Sequence, residues 1–123
     1  MGSTRCRECH AAAYAQWAST PHAGAFATLD REGKADVEEC RSCHVTAPGE
    51  PGGFVSFRTT PGMAQVGCEA CHGPGRAHIE RPERDYGKID VSTCIGCHDF
   101  ENSPEFDYYR YRERIVHSKR QGS

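Results

Sequence analysis

Apolar positions in this chain come in short runs that glycine and proline repeatedly interrupt. The run after His10, AAAYAQWA, places Tyr14 and Trp17 three residues apart on one face and predicts a helix that stops before Pro21. Thr20 followed by Pro21 supplies a cap and a first turn for a second helix from Pro21 to about Leu29. A third leads into Cys40. From Pro48 to Gly62 the sequence PGEPGGFVSFRTTPG reads as a loop around one short strand, Phe54 to Thr59. Short helices then carry Cys68 and Cys94. The segment SPEFDYYRYRERIVHSK predicts a last helix with Ser103 as cap and Pro104 in its first turn. Tyr108, Tyr111 and Ile115 form its apolar stripe, and His117 shares a second face with Phe106, Arg110 and Arg114. Those arginines suit either the carboxylates of a bound group or a solvated charged face.

Such a pattern leaves little for a conventional core. Only 37% of the 123 residues are hydrophobic, mean hydropathy is −0.72, and 13 Gly and 7 Pro scatter the apolar positions. A chain this short and polar is organised by disulfides, metal or a cofactor. The formal charge of −2 comes with no basic tract, which sets nucleic acid aside as a partner. No stretch approaches the roughly 18 to 20 apolar residues of a membrane span. The ends, MGS and GS, look like cloning remnants. Residues 1–5 are expected to be a tag or disordered, 6–117 to form one domain, and 118–123 to be a disordered end or tag.

All eight cysteines fall in four pentapeptides: Cys6 to His10 (CRECH), Cys40 to His44 (CRSCH), Cys68 to His72 (CEACH) and Cys94 to His98 (CIGCH). Paired CxxC alone is compatible with zinc ribbons, a disulfide framework or redox-active dithiols. The residue after each second cysteine decides between them. With 7 His in 123 residues, four such coincidences have a chance of about one in a hundred thousand, and zinc ribbons do not need them. CxxCH is the attachment sequence of c-type haem. On one helical turn the first cysteine and the histidine share a face, so two thioethers pin the porphyrin edge while the imidazole ligates iron. Cys6, Cys9, Cys40, Cys43, Cys68, Cys71, Cys94 and Cys97 are therefore the expected attachment residues of four haems. At about 31 residues per haem, the macrocycles themselves form the core. The motifs recur at intervals of 34, 28 and 26 residues, too uneven for a solenoid.

His10, His44, His72 and His98 are taken as proximal ligands, which leaves His22, His78 and His117. Three spare imidazoles cannot complete four irons, and exchange between copies does not help, because every subunit that borrows a histidine lends one. One haem therefore has another sixth ligand or none. His78 cannot return to the iron of His72 through so short a bend, so it reaches to a neighbouring haem. Ala23, Gly24 and Ala25 leave room beside His22 for a flat ring. Met63 is a further candidate for the incomplete iron, its alternative role being apolar packing.

The stretches CHAAAYAQWASTPHAGA, CRSCHVTAPG with GGF downstream, VGCEACHGPGRAH and CIGCHDFENSPEFDYYRYRERIVH resemble the tetrahaem cytochromes c of the cytochrome c-554 type, electron acceptors of hydroxylamine oxidation. Together they cover nearly everything from Cys6 to His117. The resemblance implies a mainly α fold of short helices and long loops wrapped around four covalently bound haems in stacked pairs. It implies three bis-histidine haems and a five-coordinate second one, with His78 capping the first haem, His117 the third, His22 the fourth and His44's haem open. This chain's loops are shorter, which bears on any partner surface. The expected function is one-electron relay between redox protein partners, periplasmic or extracellular, without a catalytic residue. The alternatives are binding or reduction of a ligand such as nitric oxide at the open haem, beneath the loop holding Glu50 and Arg58, and a haem-wire module in a filament, homo-oligomer or larger conduit.

Overall fold

The computed structural model describes residues 1–84 and 86–117. Eight α-helices are present among them: α1 (Ser3–Cys6), α2 (Ala11–Ala18), α3 (Ala25–Arg31), α4 (Glu38–Arg41), α5 (Cys68–His72), α6 (Arg76–Glu80), α7 (Val91–Ile95) and α8 (Tyr108–Ile115). None exceeds 8 residues, so each depends on tertiary contacts rather than on its own propensity. Among the described residues there is no strand, and Val45 and Ala64 form an isolated antiparallel bridge. The expected mainly helical fold is the observed one.

Several boundaries differ from expectation for local reasons. Residues 54–59 do not form a strand. The backbone turns back within five residues instead, and the Thr60 hydroxyl accepts from the N–H groups of Val55 and Ser56 at 2.8 and 3.2 Å. The helix expected from Pro21 to Leu29 is split into a 3-10 turn, Pro21–Gly24, and α3. Gly24 (φ −116°, ψ 15°) lies outside helical geometry, and glycine resists helix interiors by about 1 kcal/mol relative to alanine. Thr20 does not cap forward: its hydroxyl donates back to the Trp17 carbonyl at 2.7 Å and closes α2. The last helix starts at Tyr108, where Asp107 accepts from the N–H groups of Tyr109 and Arg110. His117 accordingly lies beyond its end, after Val116 has turned extended.

Residues 1–5, expected as a tag or disordered, are packed. Ser3 and Gly2 are buried, the Gly2 N–H donates to the Glu69 carboxylate at 2.8 Å, and the Ser3 hydroxyl accepts from the Cys68 N–H at 3.0 Å. The α1 segment thereby closes over α5. The expectation for residues 118–123 lies outside the described residues.

Among the described residues there is one small apolar cluster, formed by Phe26, Val45, Phe54, Met63 and Ala64 with Ala35 against it. Thr46 threads it: its N–H donates to the Met63 carbonyl (2.8 Å), its carbonyl accepts from Phe54 (3.0 Å), and its hydroxyl donates to the Gln65 carbonyl (2.9 Å). Met63 is 6% exposed and belongs to this packing, its sulfur accepting from the Met1 amine at 3.3 Å.

Candidate haem sites

Each CxxCH motif occupies about one helical turn. The His10 N–H donates to the Cys6 carbonyl and the His98 N–H to the Cys94 carbonyl, both at 2.9 Å. Cys68 and His72 bound α5, and the His44 N–H donates to the Arg41 carbonyl at 2.9 Å. All eight cysteines are free of disulfides. Among the described residues no three or more His, Cys, Asp or Glu side chains converge on a metal position, which a zinc ribbon would require.

The thiols of different motifs come together. A hydrogen bond from Cys6 to Cys68, aided by burial, holds Cys6 far above the usual thiol range, and the same contact lowers Cys68 to about 6. Burial, then the neighbouring Cys43, push Cys97 up to about 12. Burial, then Cys94, raise Cys71. The neighbour relations matter more than the titration, which thioether formation would abolish. They join motif one to three, three to four, and four to two.

The histidines are arranged in facing pairs. The ring centroids of His10 and His78 are 6.3 Å apart, those of His72 and His117 6.0 Å, and those of His22 and His98 6.1 Å. With a metal–nitrogen bond of about 2.0 Å on each side and about 1.1 Å from nitrogen to ring centre, two imidazoles facing across one metal have centroids about 6 Å apart. The observed spacing fits a ligated metal between each pair. His78 Nδ1 is buried and has no hydrogen-bond partner, a cost that a metal bond would relieve. Burial, then His98, hold His22 below the ordinary imidazole range, and burial does the same for His98. Both rings are thus neutral at pH 7, with a lone pair to give.

Second nitrogens are anchored as metal-ligating histidines require. The His44 Nδ1–H donates to the Ala25 carbonyl at 2.8 Å, and the His72 Nδ1–H donates to the Gly87 carbonyl at 2.6 Å. A carbonyl only accepts, so in both rings Nδ1 is the donor, which in the neutral tautomer leaves the Nε2 lone pair for a metal. His98 Nδ1 shares a hydrogen bond with the Ser103 hydroxyl at 3.0 Å. Ser103, expected to cap the last helix, instead orients this ring, and Phe106 stacks on it at 4.9 Å.

Helix α3 is clamped where His44 meets it. The Gln65 side chain accepts from the Phe26 N–H at 2.6 Å, one residue after the carbonyl that holds His44. Gln65 reaches this position with φ of 72°, strain that the surrounding hydrogen bonds sustain. Glu50 and Arg58, the loop residues noted beside this site, are both exposed.

The sequence missed α6, which carries His78, and the partners Ala25, Tyr86, Gly87 and Phe106. Carbonyl partners have no signature in side-chain identity. Gly87 had one faint signal, an isolated glycine in polar sequence: its φ is 69°, and a Cβ there would come within 2.6 Å of His72.

A family profile described as Cytochrome c554 and c-prime matches residues 5–73, which take in the first three motifs. The curated cytochrome c-554 of Nitrosomonas europaea is 33% identical over 139 aligned positions, covering 84% of this chain. The chain spans 59% of the length of that relative. The solved structure of the reduced state of cytochrome c554 from Nitrosomonas europaea has a TM-score of 0.63 with this one, over 94% of this chain and 77% of that one, at 24% identity, a likeness of fold. The chain belongs to the cytochrome c554 and c-prime family.

Proposed function

We propose that the chain carries four thioether-bound haems and relays single electrons between protein partners in the periplasm or outside the cell. The observation that carries this is the set of three histidine pairs at 6.0 to 6.3 Å, each joining a motif histidine to a non-motif one. In this reading His78 completes the site of His10, His117 that of His72, and His22 that of His98. Those pairs use six of the seven histidines, so none remains for His44.

Haem supplies reversible one-electron chemistry at each position. The polypeptide's part is spacing and tuning. Thiol neighbours order the sites one, three, four, two, a continuous path, and tunnelling along it falls off exponentially with separation. Paired imidazole ligands favour low potentials at three sites. The fourth, at His44, has a carbonyl-anchored ring and no histidine opposite.

Intact mass and carbon monoxide titration test this together. The expected mass is that of the chain plus four haems, and the reduced protein takes up one equivalent of carbon monoxide. A chain of bare mass refutes the proposal, and uptake of none or of two or more equivalents refutes the ligand assignment. The missing histidine at His44 also supports a second reading, binding and reduction of a small ligand such as nitric oxide there. It requires turnover with a reductant, and binding without turnover removes it.

A further inference from the structure

We propose that Tyr86 is a positioning residue shared by two haem sites, setting the imidazole planes of His78 and His72 together through one dipeptide, Tyr86–Gly87. The proposal rests on the haem assignment above and goes beyond it. The Tyr86 ring stacks on His78 with centroids 4.5 Å apart and planes inclined by 11°. It also approaches His72 at 6.0 Å and 31°. These two histidines belong to different pairs, His78 facing His10 and His72 facing His117.

The phenol is fixed at its far end as well, its hydroxyl donating to the Gly73 carbonyl at 2.5 Å. Gly73 directly follows His72 in the chain, so this bond ties the ring to the end of α5. Gly87 completes the clamp, because its carbonyl accepts the His72 Nδ1–H and its lack of a Cβ lets the His72 ring lie against the backbone. A ligand imidazole turns about its metal–nitrogen bond against little resistance unless its surroundings fix it. Stacking on Tyr86 fixes the plane of His78, and the Gly87 carbonyl fixes that of His72. A movement of the dipeptide therefore displaces ligands of two irons at once.

Tyr86→Leu and Tyr86→Phe in the fully loaded protein test the proposal, with intact mass verifying four haems first. In the oxidised Tyr86→Leu protein, two low-spin electron paramagnetic resonance signals move and the same two midpoint potentials shift. The signals of the His22/His98 site and the His44 site stay in place. Tyr86→Phe keeps the ring on His78 and loses only the tie to Gly73, so its signals lie closer to the wild type than those of the leucine variant. Movement of no signal, of one, or of all four overturns the proposal. If the leucine variant does not load, the wild type answers instead, with ring-labelled tyrosine followed by nuclear magnetic resonance and Tyr86 assigned by its absence in Tyr86→Phe. Its resonance must shift at two separate steps of stepwise oxidation, and a shift at one step or none overturns the proposal. A wild type that carries no haem fails earlier, by mass, and refutes the haem assignment rather than the role of Tyr86.

Discussion

The chain up to Gly75 and the chain from Arg76 to His117 are built on different plans. Every buried residue described lies in the first part, among them the cluster of Phe26, Val45, Phe54, Met63 and Ala64, and outside that cluster Ser3, Leu29, Thr46 and Glu69. In the second part none of the described residues is buried. That part still has defined geometry, because rings face rings: His98 against Phe106 and Tyr111, and His117 against His72. The second motif runs straight into aliphatic packing, Val45 being 4% exposed, whereas the third is followed by Gly73 at φ 84° and a chain with no apolar interior. A polypeptide too polar to bury itself is organised where a flat cofactor supplies the missing interior. Histidine pairing marks those places, and His44, the motif histidine left without a mate, is the one beside the protein's own core.

Withholding haem breaks this comparison most severely. Where a prosthetic group supplies the interior, its binding free energy is folding free energy. The apoprotein is expected to lose cooperative unfolding altogether, and its amides in 76–117 to exchange like those of a free chain. Slow exchange in 76–117 without haem would show that this part holds itself together and that the contrast is false. Next in size is Phe54→Ala in the loaded protein, which opens a cavity in the aliphatic cluster at a cost of about 3 to 5 kcal/mol. Phe54 is 5% exposed and touches Phe26 with centroids 5.7 Å apart. Denaturant unfolding should move by that amount while the visible spectrum of the three histidine-paired sites is unchanged. A cost below about 1 kcal/mol would mean that the cluster contributes no more than the surface does.

What the sequence revealed follows the same division. The four motifs, the three spare histidines and the helices that carry Cys68 and Cys94 were legible because covalent attachment needs fixed residue types at fixed spacing. Pairing partners were not legible from spacing alone: His78 and His10 meet across 68 residues, and only a whole-chain resemblance pointed to them. The strand expected at Phe54–Thr59 rested on a short β-prone run between Gly/Pro turns, but Val55 and Phe57 are exposed and no second strand is present among the described residues for it to join. Ser103 was assigned to the helix because serine before proline is a good start signal. Tertiary demand for a partner to His98 took its hydroxyl instead, and Asp107 capped the helix four residues later. The N-terminal residues looked dispensable in composition, yet they are held by the Ser3 hydroxyl on Cys68, the Met63 sulfur and above all the Glu69 carboxylate.

That carboxylate gives the smallest and sharpest test. Glu69 lies inside the third motif, between its two cysteines, yet it points away into the first part of the chain and accepts the N–H groups of Gly2 at 2.8 Å and Gly75 at 2.9 Å. Burial pushes its carboxyl up, but the Gly75 and Gly2 hydrogen bonds, together with the Met1 amine at 3.3 Å, outweigh burial and leave it below the usual carboxylate range. A folded-state value below the unfolded one means that its stabilisation is full above about pH 4.3 and is lost as pH falls through the lower folded value. Glu69→Gln keeps the shape but turns a donor toward one of the two N–H groups, costing about 1 to 3 kcal/mol near neutral pH. Chemical unfolding of both proteins across the acid range should show the gap between them closing as the pH drops. Parallel curves would mean that the charge on Glu69 contributes nothing, and that the N-terminal residues are held by their other contacts.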